Sequence, residues 1–187
     1  KVARLLGLGY PGGPVIDKLA KEGDPKAFAL PEGNISLPGG GFHPYDSSFS
    51  GLKTAVLRLV EKLRASGANP LPVADLCASF QATVARSLTK RAIACARDYE
   101  LTTIAVGGGV AANSGLRQQL TQAAQEYGLK VLFPPLKLCT DNAAMIGCAA
   151  AEHLSRGHRS DFTVGAQSRL DVTHVMELYR GGQEYPQ

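Results

Sequence analysis

Three short segments of the sequence carry residue types that could hold a phosphorylated ligand. The first is IAVGGGVAAN, residues 104–113, in which Gly107, Gly108 and Gly109 follow an apolar run and Asn113 closes the segment. Glycines between a strand and a helix let the backbone approach a ligand closely and direct free N–H groups towards it. The spacing matches neither G-x-G-x-x-G nor a P-loop, so those two nucleotide sites are not indicated. A tight turn that requires a positive φ explains the glycines equally well.

The second segment is CTDNAAMIG, residues 139–147, and its one carboxylate is Asp141. An aspartate at this position either caps the following helix, which is the more frequent role, or serves as a metal ligand or phosphate-facing group at the end of a strand. Open α/β sheets collect their ligand groups at such strand ends. A single carboxylate does not hold a metal ion, so the remaining ligands would have to come from elsewhere.

The third segment is YPGGPVIDKLA, residues 10–20, which contains Gly12 and Gly13 and then Asp17 one helical turn later. The glycines allow close backbone approach. Asp17 is suited to accept hydrogen bonds from ribose hydroxyls. A solvated carboxylate at a helix start, favoured by the helix dipole, is the alternative and is slightly favoured for this segment alone.

Other reactive side chains do not form a recognisable centre. No zinc-knuckle or thioredoxin-like C-x-x-C pair is present, and apolar neighbours predict that all four cysteines are buried thiols in a reducing compartment: Cys77, Cys95, Cys139 and Cys148. The serines near residue 50 lack a G-x-S-x-G elbow, which argues against a serine hydrolase. The histidines show no ligand spacing and are interpreted as ordinary surface or partly buried residues, with the second and third exposed near a helix end: His43, His153, His158 and His174.

Composition predicts a soluble, cytoplasmic protein with a real core. The 187 residues are 44% hydrophobic, Trp is absent, and the net charge of +4 permits contact with nucleic acid without requiring it. No apolar run approaches a membrane span and no signal peptide is visible, so no membrane contact is expected. The sequence begins with Lys1 partway through a predicted helix, and we expect either that an N-terminal segment is missing or that the chain has been processed.

The pattern of apolar residues places the three segments on predicted elements. Residues 1–7 are the end of a helix, 14–21 form a short helix, and 23–50 are rich in Gly and Pro, with extended pieces near 34–37 and 47–50. Residues 51–100 form a helical block, and each of its helices is predicted to pack one apolar face against the core. From 101 to 156 the order is buried strand, helix, strand, helix, which indicates an α/β layer.

Together these strings are more specific than any one of them. LLGLGYPGGPVIDKLA, SSFSGLKT, VGGGVAANSGLR and CTDNAAMIG occur in an order and spacing that resembles the tRNA N6-adenosine threonylcarbamoyltransferase family, over nearly all of residues 1–155. The resemblance implies an α/β fold of the actin-like ATPase superfamily (sugar kinase, heat-shock-protein-70 and actin), with two lobes around a ligand cleft. This chain would be the C-terminal part, with a helical insertion and without the N-terminal lobe.

The resemblance also implies an activity. The family transfers a threonylcarbamoyl group from threonylcarbamoyl-adenylate to N6 of the adenosine 3′ of the anticodon, in tRNAs that read ANN codons. Partners in bacteria would be a paralogous actin-like subunit and a small P-loop ATPase. Matching positions assign Gly13, Asp17 and Asn113 to the adenylate, with Gly107, Gly108 and Gly109 as its backbone cradle.

Asp141 matches the one metal ligand that this part of the family contributes. The metal implied is one divalent ion per subunit, Fe²⁺ with Zn²⁺ or Mg²⁺ as alternatives. The family's H-x-x-x-H and S-G-G-H-[TS] motifs are not in this chain, and His153 and His158 lack the i, i+4 spacing to replace the histidine pair. We therefore expect weak metal binding and negligible transfer by these residues alone. No residue is assigned a catalytic proton-transfer role.

Three alternatives are weighed against this function. A small-molecule kinase or ATPase of the same superfamily would also use the glycine segment, although the YPGGP and CTDNAAMIG strings argue against it. A metallopeptidase is not supported, because H-E-x-x-H is absent. A non-catalytic subunit would not be expected to keep Asp141 beside an intact VGGGVAAN.

Overall fold

The computed structural model describes residues 1–159 together with Phe162, Gly165 and Ser168. The chain divides into two compact units, Lys1–Asn142 and Ala143–Gln187. Of the histidines considered above, His174 lies outside the described residues.

Two short helices begin the first unit. Helix α1 spans Val2–Leu5 and helix α2 spans Gly12–Leu19. The predicted helix end before Gly7 is confirmed, whereas α2 starts two residues earlier than predicted and ends two residues earlier. Ile16 of α2 packs in the same buried cluster as residues of α1, so α2, which carries Asp17, is fixed by apolar contact.

Two long helices follow. Helix α3 spans Ser50–Ala65 and buries Leu52, Val56 and Val60, and helix α4 spans Val73–Asp98. The predicted apolar faces of the helical block are confirmed, because Leu59 and Leu63 of α3 and Phe80 and Val84 of α4 pack against one buried cluster. The extended piece predicted near residues 47–50 is wrong at its end, since residue 50 already begins α3.

The Gly/Pro-rich segment of residues 23–50 is held by polar side chains of α4. Ser79 Oγ accepts from the Phe28 N–H at 3.1 Å, and Ser87 Oγ donates to the Glu32 carbonyl at 2.7 Å. Arg91 Nη2 donates to Asn34 Oδ1 at 2.8 Å. A segment without regular structure needs partners for its backbone groups, and α4 supplies them. Its one bridge pairs Ser36 with Phe42, so an extended piece near 34–37 is observed.

A parallel pair of strands completes the first unit. Strand β1, Thr103–Ala105, pairs with strand β2, Lys130–Leu132, and helix α5, Ser114–Glu126, connects them. Helix α5 packs on α4 through Leu116, Leu120 and Ala124. The predicted order of strand, helix and strand is confirmed. The prediction that β1 is a buried strand is wrong, because Ile104 is half-buried against the cluster on α5 while both its neighbours in the strand are exposed.

Helix α6 spans Ala143–Ser155 and is the helix described in the second unit. No helix in the described part of the chain has the length and apolar character needed to cross a bilayer. His153 and His158 are half-buried against each other rather than exposed, with their Nδ1 atoms 3.0 Å apart. The prediction of four buried cysteines is confirmed for Cys77 and Cys139 only, since Cys95 is half-buried and Cys148 is exposed.

Candidate functional site

Asp17 lies in the second half of α2 and is bound to the N-terminus of α5. Its Oδ1 atom accepts from the Ser114 backbone N–H at 3.0 Å, from Ser114 Oγ at 2.8 Å and from Asn113 Nδ2 at 3.1 Å. The first turn of α2 contains no acidic residue, so the alternative of a carboxylate at the start of its own helix is wrong. The helix dipole that favours the Asp17 charge is that of α5. All three bonds use one oxygen.

Asn113 uses both ends of its side-chain amide. Its Oδ1 accepts from the Leu116 N–H at 2.9 Å, which caps α5, while Nδ2 donates to Asp17 and, at 2.7 Å, to Gln81 Oε1. An N-cap residue satisfies one of the N–H groups that a helix start leaves without a partner. Because the cap fixes the amide plane, Asn113 holds α2, α4 and α5 together at one point.

Gln81 is a site residue that the sequence reasoning missed. It lies on α4, and a Cβ atom added at Gly115 would lie 2.9 Å from Gln81 Nε2. Glycine at position 115 therefore permits the close approach of α5 to this side chain. Ser114 was also missed. A serine and a glutamine inside helical patterns carry no distinctive signal, because only the packing of α4 on α5 brings them to Asp17.

The glycine turn, defined as Gly107–Gly109, follows β1. Gly108 has φ 82° and ψ 174°, a region of backbone space that is almost exclusive to glycine. The tight-turn explanation is therefore correct for Gly108. All three glycines are exposed, and an added Cβ at each would meet no atom within 4 Å. The turn thus has open space beside it and leads through a 3-10 turn, Gly109–Ala112, into the Asn113 cap.

A cavity of about 640 Å³ lies between α2, α4 and the start of α5. Its size is within the range of roughly 300–1,000 Å³ for small-molecule sites. Four of the sequence-predicted residues line it, namely Gly13, Asp17, Gly109 and Asn113. Gly107, Gly108 and Asp141 are not among the lining residues.

The other cavity-lining side chains combine apolar surface with positive charge. Apolar atoms come from Ile16, Phe80, Val84, Leu116 and Leu136, and cationic groups come from two lysines of α2 and the residues after it, Lys18 and Lys21. An apolar lining with a few convergent polar groups suits a flat base joined to a polar, anionic group. The cavity can therefore accept a nucleoside phosphate on chemical grounds.

Asp141 lies in the loop that follows β2. Its side chain is exposed, and it makes no hydrogen bond or ion pair with any residue that the structure describes. Since α6 begins at Ala143, Asn142 rather than Asp141 immediately precedes the helix. Within residues 1–159 and the three further described positions, no group of three His, Cys, Asp or Glu side chains could hold a metal ion. Asp141 can contribute one oxygen ligand to a larger set.

A family model now gives these residues a context. The model of tRNA N6-adenosine threonylcarbamoyltransferase matches residues 1–148. This chain belongs to that family. The matched stretch includes all of the predicted site residues, from Gly13 to Asp141.

Individual relatives agree with the family match. Proteins named tRNA N6-adenosine threonylcarbamoyltransferase from Cyanothece sp. and from Nostoc punctiforme are each 74% identical to this chain, over 180 and 179 residues. The protein of that name from Acaryochloris marina is 72% identical over 181 residues. These matches cover 96–97% of this chain and 50–52% of each relative. The chain thus spans about half the length of the curated threonylcarbamoyltransferases that it matches.

Proposed function

We propose that this chain supplies the adenylate-binding part of an enzyme that transfers a threonylcarbamoyl group from threonylcarbamoyl-adenylate to N6 of the adenosine 3′ of the anticodon in tRNAs reading ANN codons. The proposal rests on one observation, the hydrogen bonds that hold Asp17 to the start of α5. Three donors occupy its Oδ1 atom, so Oδ2 is left to accept from ribose hydroxyls in the adjoining cavity. The family name gives the transferred group and its acceptor, N6 of a tRNA adenosine, and threonylcarbamoyl-adenylate as the donor is part of the proposal.

Gly13, Gly109 and Asn113 complete this half of the site. They line the same cavity as Asp17, and their small or fixed side chains let a nucleotide lie close to the backbone. Gly107 and Gly108 shape the turn that leads into Asn113. In the reaction the N6 amine forms a bond to the carbamoyl carbon, the bond from that carbon to the phosphate oxygen breaks, AMP leaves and N6 loses a proton.

Asp141 is proposed as one ligand of a divalent metal ion, Fe²⁺ with Zn²⁺ or Mg²⁺ as alternatives. The fit rests on the exposed carboxylate, which has no partner among the described residues, and on the preference of such cations for carboxylate oxygens. When bound, the ion supplies positive charge that polarises the carbonyl and phosphate groups of the adenylate. The remaining ligands would come from outside this chain.

The wider assembly follows from the family. We propose a two-lobed fold of the actin-like superfamily in the cytoplasm, working in bacteria with a paralogous actin-like subunit and a small P-loop ATPase. What supports the fold is the α/β unit of β1, α5 and β2, in which the glycine turn and the Asp141 loop both follow the carboxyl ends of parallel strands.

The test is transfer by the full-length protein with its two partner subunits. The protein is given threonylcarbamoyl-adenylate and unmodified tRNA, and the modified nucleoside is measured by mass spectrometry after digestion. We expect product from the wild type, and a loss of at least about tenfold from D17N and D141N, because each removes a charge that contacts substrate or metal. Asp46, an exposed aspartate remote in sequence from these residues, gives the matched control D46N.

The competing function is phosphoryl transfer by a kinase or ATPase of the same superfamily. Hydrolysis of ATP by the purified full-length protein, without its partners, is measured under the same conditions. Turnover of ATP that depends on Asp17, together with no modified tRNA, would replace the proposed function with this one.

A further inference from the structure

Arg117 in the first turn of α5 contacts both loops that follow the parallel strands. Its Nε atom donates to the Ala111 carbonyl in the turn after the glycines, and Nη2 donates to the Pro134 carbonyl at 2.6 Å in the loop after β2. Nη2 also lies 3.4 Å from Cys139 Sγ. One guanidinium group therefore touches the end of the first loop and two points of the second.

The contacts on the second loop lie at its start and close to Asp141. The Arg117 guanidinium carbon lies 4.7 Å from the centre of the Phe133 ring, which begins the loop. Cys139, at the other end, is buried and comes two residues before Asp141. Its thiol also lies within 3.6–3.9 Å of the Pro134 and Pro135 carbonyls. The loop is thus folded back on the arginine, and Asp141 follows directly.

The strand pairing ends just before these contacts. The Val106 N–H donates to the Leu132 carbonyl at 2.9 Å, beyond the last register pair of Ala105 with Leu132. After this point β1 continues into the glycine turn and β2 continues into the Asp141 loop, and Arg117 contacts both segments. Arginine suits this position because its planar fork donates in several fixed directions and stacks on an aromatic face at once. Lysine offers a single point of charge.

We infer that Arg117 is a positioning residue that couples the adenylate-binding turn to the metal-binding loop. The inference rests on the proposed function, because it assumes that Asn113 and Asp141 belong to the site of the same bound adenylate. Arg117 acts through these two loops and not by contact with either ligand. It fixes Ala111, two residues before Asn113, relative to Cys139, two residues before Asp141, so that metal bound at one loop favours nucleotide bound at the other.

The measurement is the affinity of the full-length protein for AMP by calorimetry, without metal and with saturating Mn²⁺, a redox-stable stand-in for Fe²⁺. In the wild type we expect Mn²⁺ to tighten AMP binding by about tenfold, within the usual range of coupling between sites. In R117M, which keeps an apolar stem against Phe133, this factor should fall to about twofold. Affinity for AMP without metal should change by less than about threefold.

R97M is the matched control, because Arg97 lies 4.6 Å over the Tyr127 ring in a similar contact away from both loops. Because Arg97 is exposed and Arg117 is half-buried, R97M should lose less thermal stability than R117M, and it should keep the wild-type coupling. If R117M lowers the melting temperature and leaves the Mn²⁺ effect on AMP intact, Arg117 is purely structural and the inference is wrong. A wild type in which Mn²⁺ has no effect on AMP affinity also overturns it.

R117K decides the matter if R117M does not fold. It keeps the charge and loses the fork, so its coupling should be at most half the wild-type factor, and coupling equal to the wild type contradicts the inference. These readouts are binding constants and need no transfer of the threonylcarbamoyl group. Failure of the proposed function would instead appear as a wild type that binds AMP and Mn²⁺ and makes no modified tRNA.

Discussion

Asp17 and Asn113 are 96 residues apart in the sequence, and Asn113 Nδ2 donates to Asp17 Oδ1 at 3.1 Å. Asp17 belongs to α2 and Asn113 caps α5. This single contact joins the YPGGPVID segment to the glycine segment and places both beside one cavity.

Replacing Asp17 with asparagine should weaken binding of AMP more than binding of 2′,3′-dideoxy-AMP. Hydrogen bonds to a charged acceptor contribute about 1.5–3 kcal/mol, so D17N should lower AMP affinity by about 10- to 100-fold. The dideoxy nucleotide has no ribose hydroxyl to lose, and calorimetry of both ligands gives the comparison. An equal loss for the two nucleotides would mean that Asp17 serves only to hold α5.

Replacing Asn113 with alanine should destabilise the protein by about 1–2 kcal/mol, because the cap of α5 is lost. Serine caps as well as asparagine but lacks the amide donors to Asp17 and Gln81. N113S should therefore recover the roughly 1 kcal/mol that the cap contributes, relative to N113A, and still lose AMP affinity as N113A does. Wild-type affinity in N113S would show that Asn113 acts as a cap alone.

The glycine turn offers two substitutions with different expected effects on stability. Alanine at Gly108 must adopt the glycine-only backbone region observed there, which should cost about 1–3 kcal/mol of unfolding free energy. Gly107 has an ordinary φ and open space around it, so G107A should change stability by less than about 0.5 kcal/mol. If the nucleotide lies against the turn, G107A nevertheless weakens AMP binding; unchanged AMP affinity would place the ligand elsewhere.

The ion pairs of Glu32 should make the attachment of the Gly/Pro-rich segment depend on pH. Arg86 Nε donates to Glu32 Oε1 at 2.7 Å, and this bond outweighs partial burial and holds the pKa of Glu32 below its usual range. Because the folded pKa is lowered, the stabilisation is present above the unfolded value of about 4.3 and is lost as the pH falls through the folded value.

The check is the urea midpoint of E32Q against the wild type at two pH values. At pH 7 the variant should be less stable by up to about 1 kcal/mol, since the pair is partly exposed, and near pH 3 the difference should shrink. E61Q, at an exposed glutamate of α3, is the control and should show no such change. A difference for E32Q that is the same at both pH values would rule out the titration of Glu32 as its cause.

The local sequence determined the elements and the turn chemistry of this protein. Apolar periodicity predicts α3 and α4, short apolar runs that end at glycines or prolines predict β1 and β2, and the glycines are typical of a tight turn such as the one observed at Gly108, because each of these depends on neighbours within a few residues. The family strings likewise lie within short segments. The same local patterns misjudged burial, since the exposure of β1 and of Cys148 depends on which elements cover them.

The tertiary structure alone decided which polar groups meet. Nothing in the sequence around Asp17 indicates that its partners are Asn113 and Ser114, nor that Gln81 lies against Gly115. Nor does the sequence around Arg117 indicate contacts with Ala111, Pro134 and Cys139. These contacts exist because apolar burial packs α5 on α4 and α2 on α4, and that burial is non-directional. The hydrogen bonds then select one geometry among the packed arrangements, and the candidate site follows from that geometry.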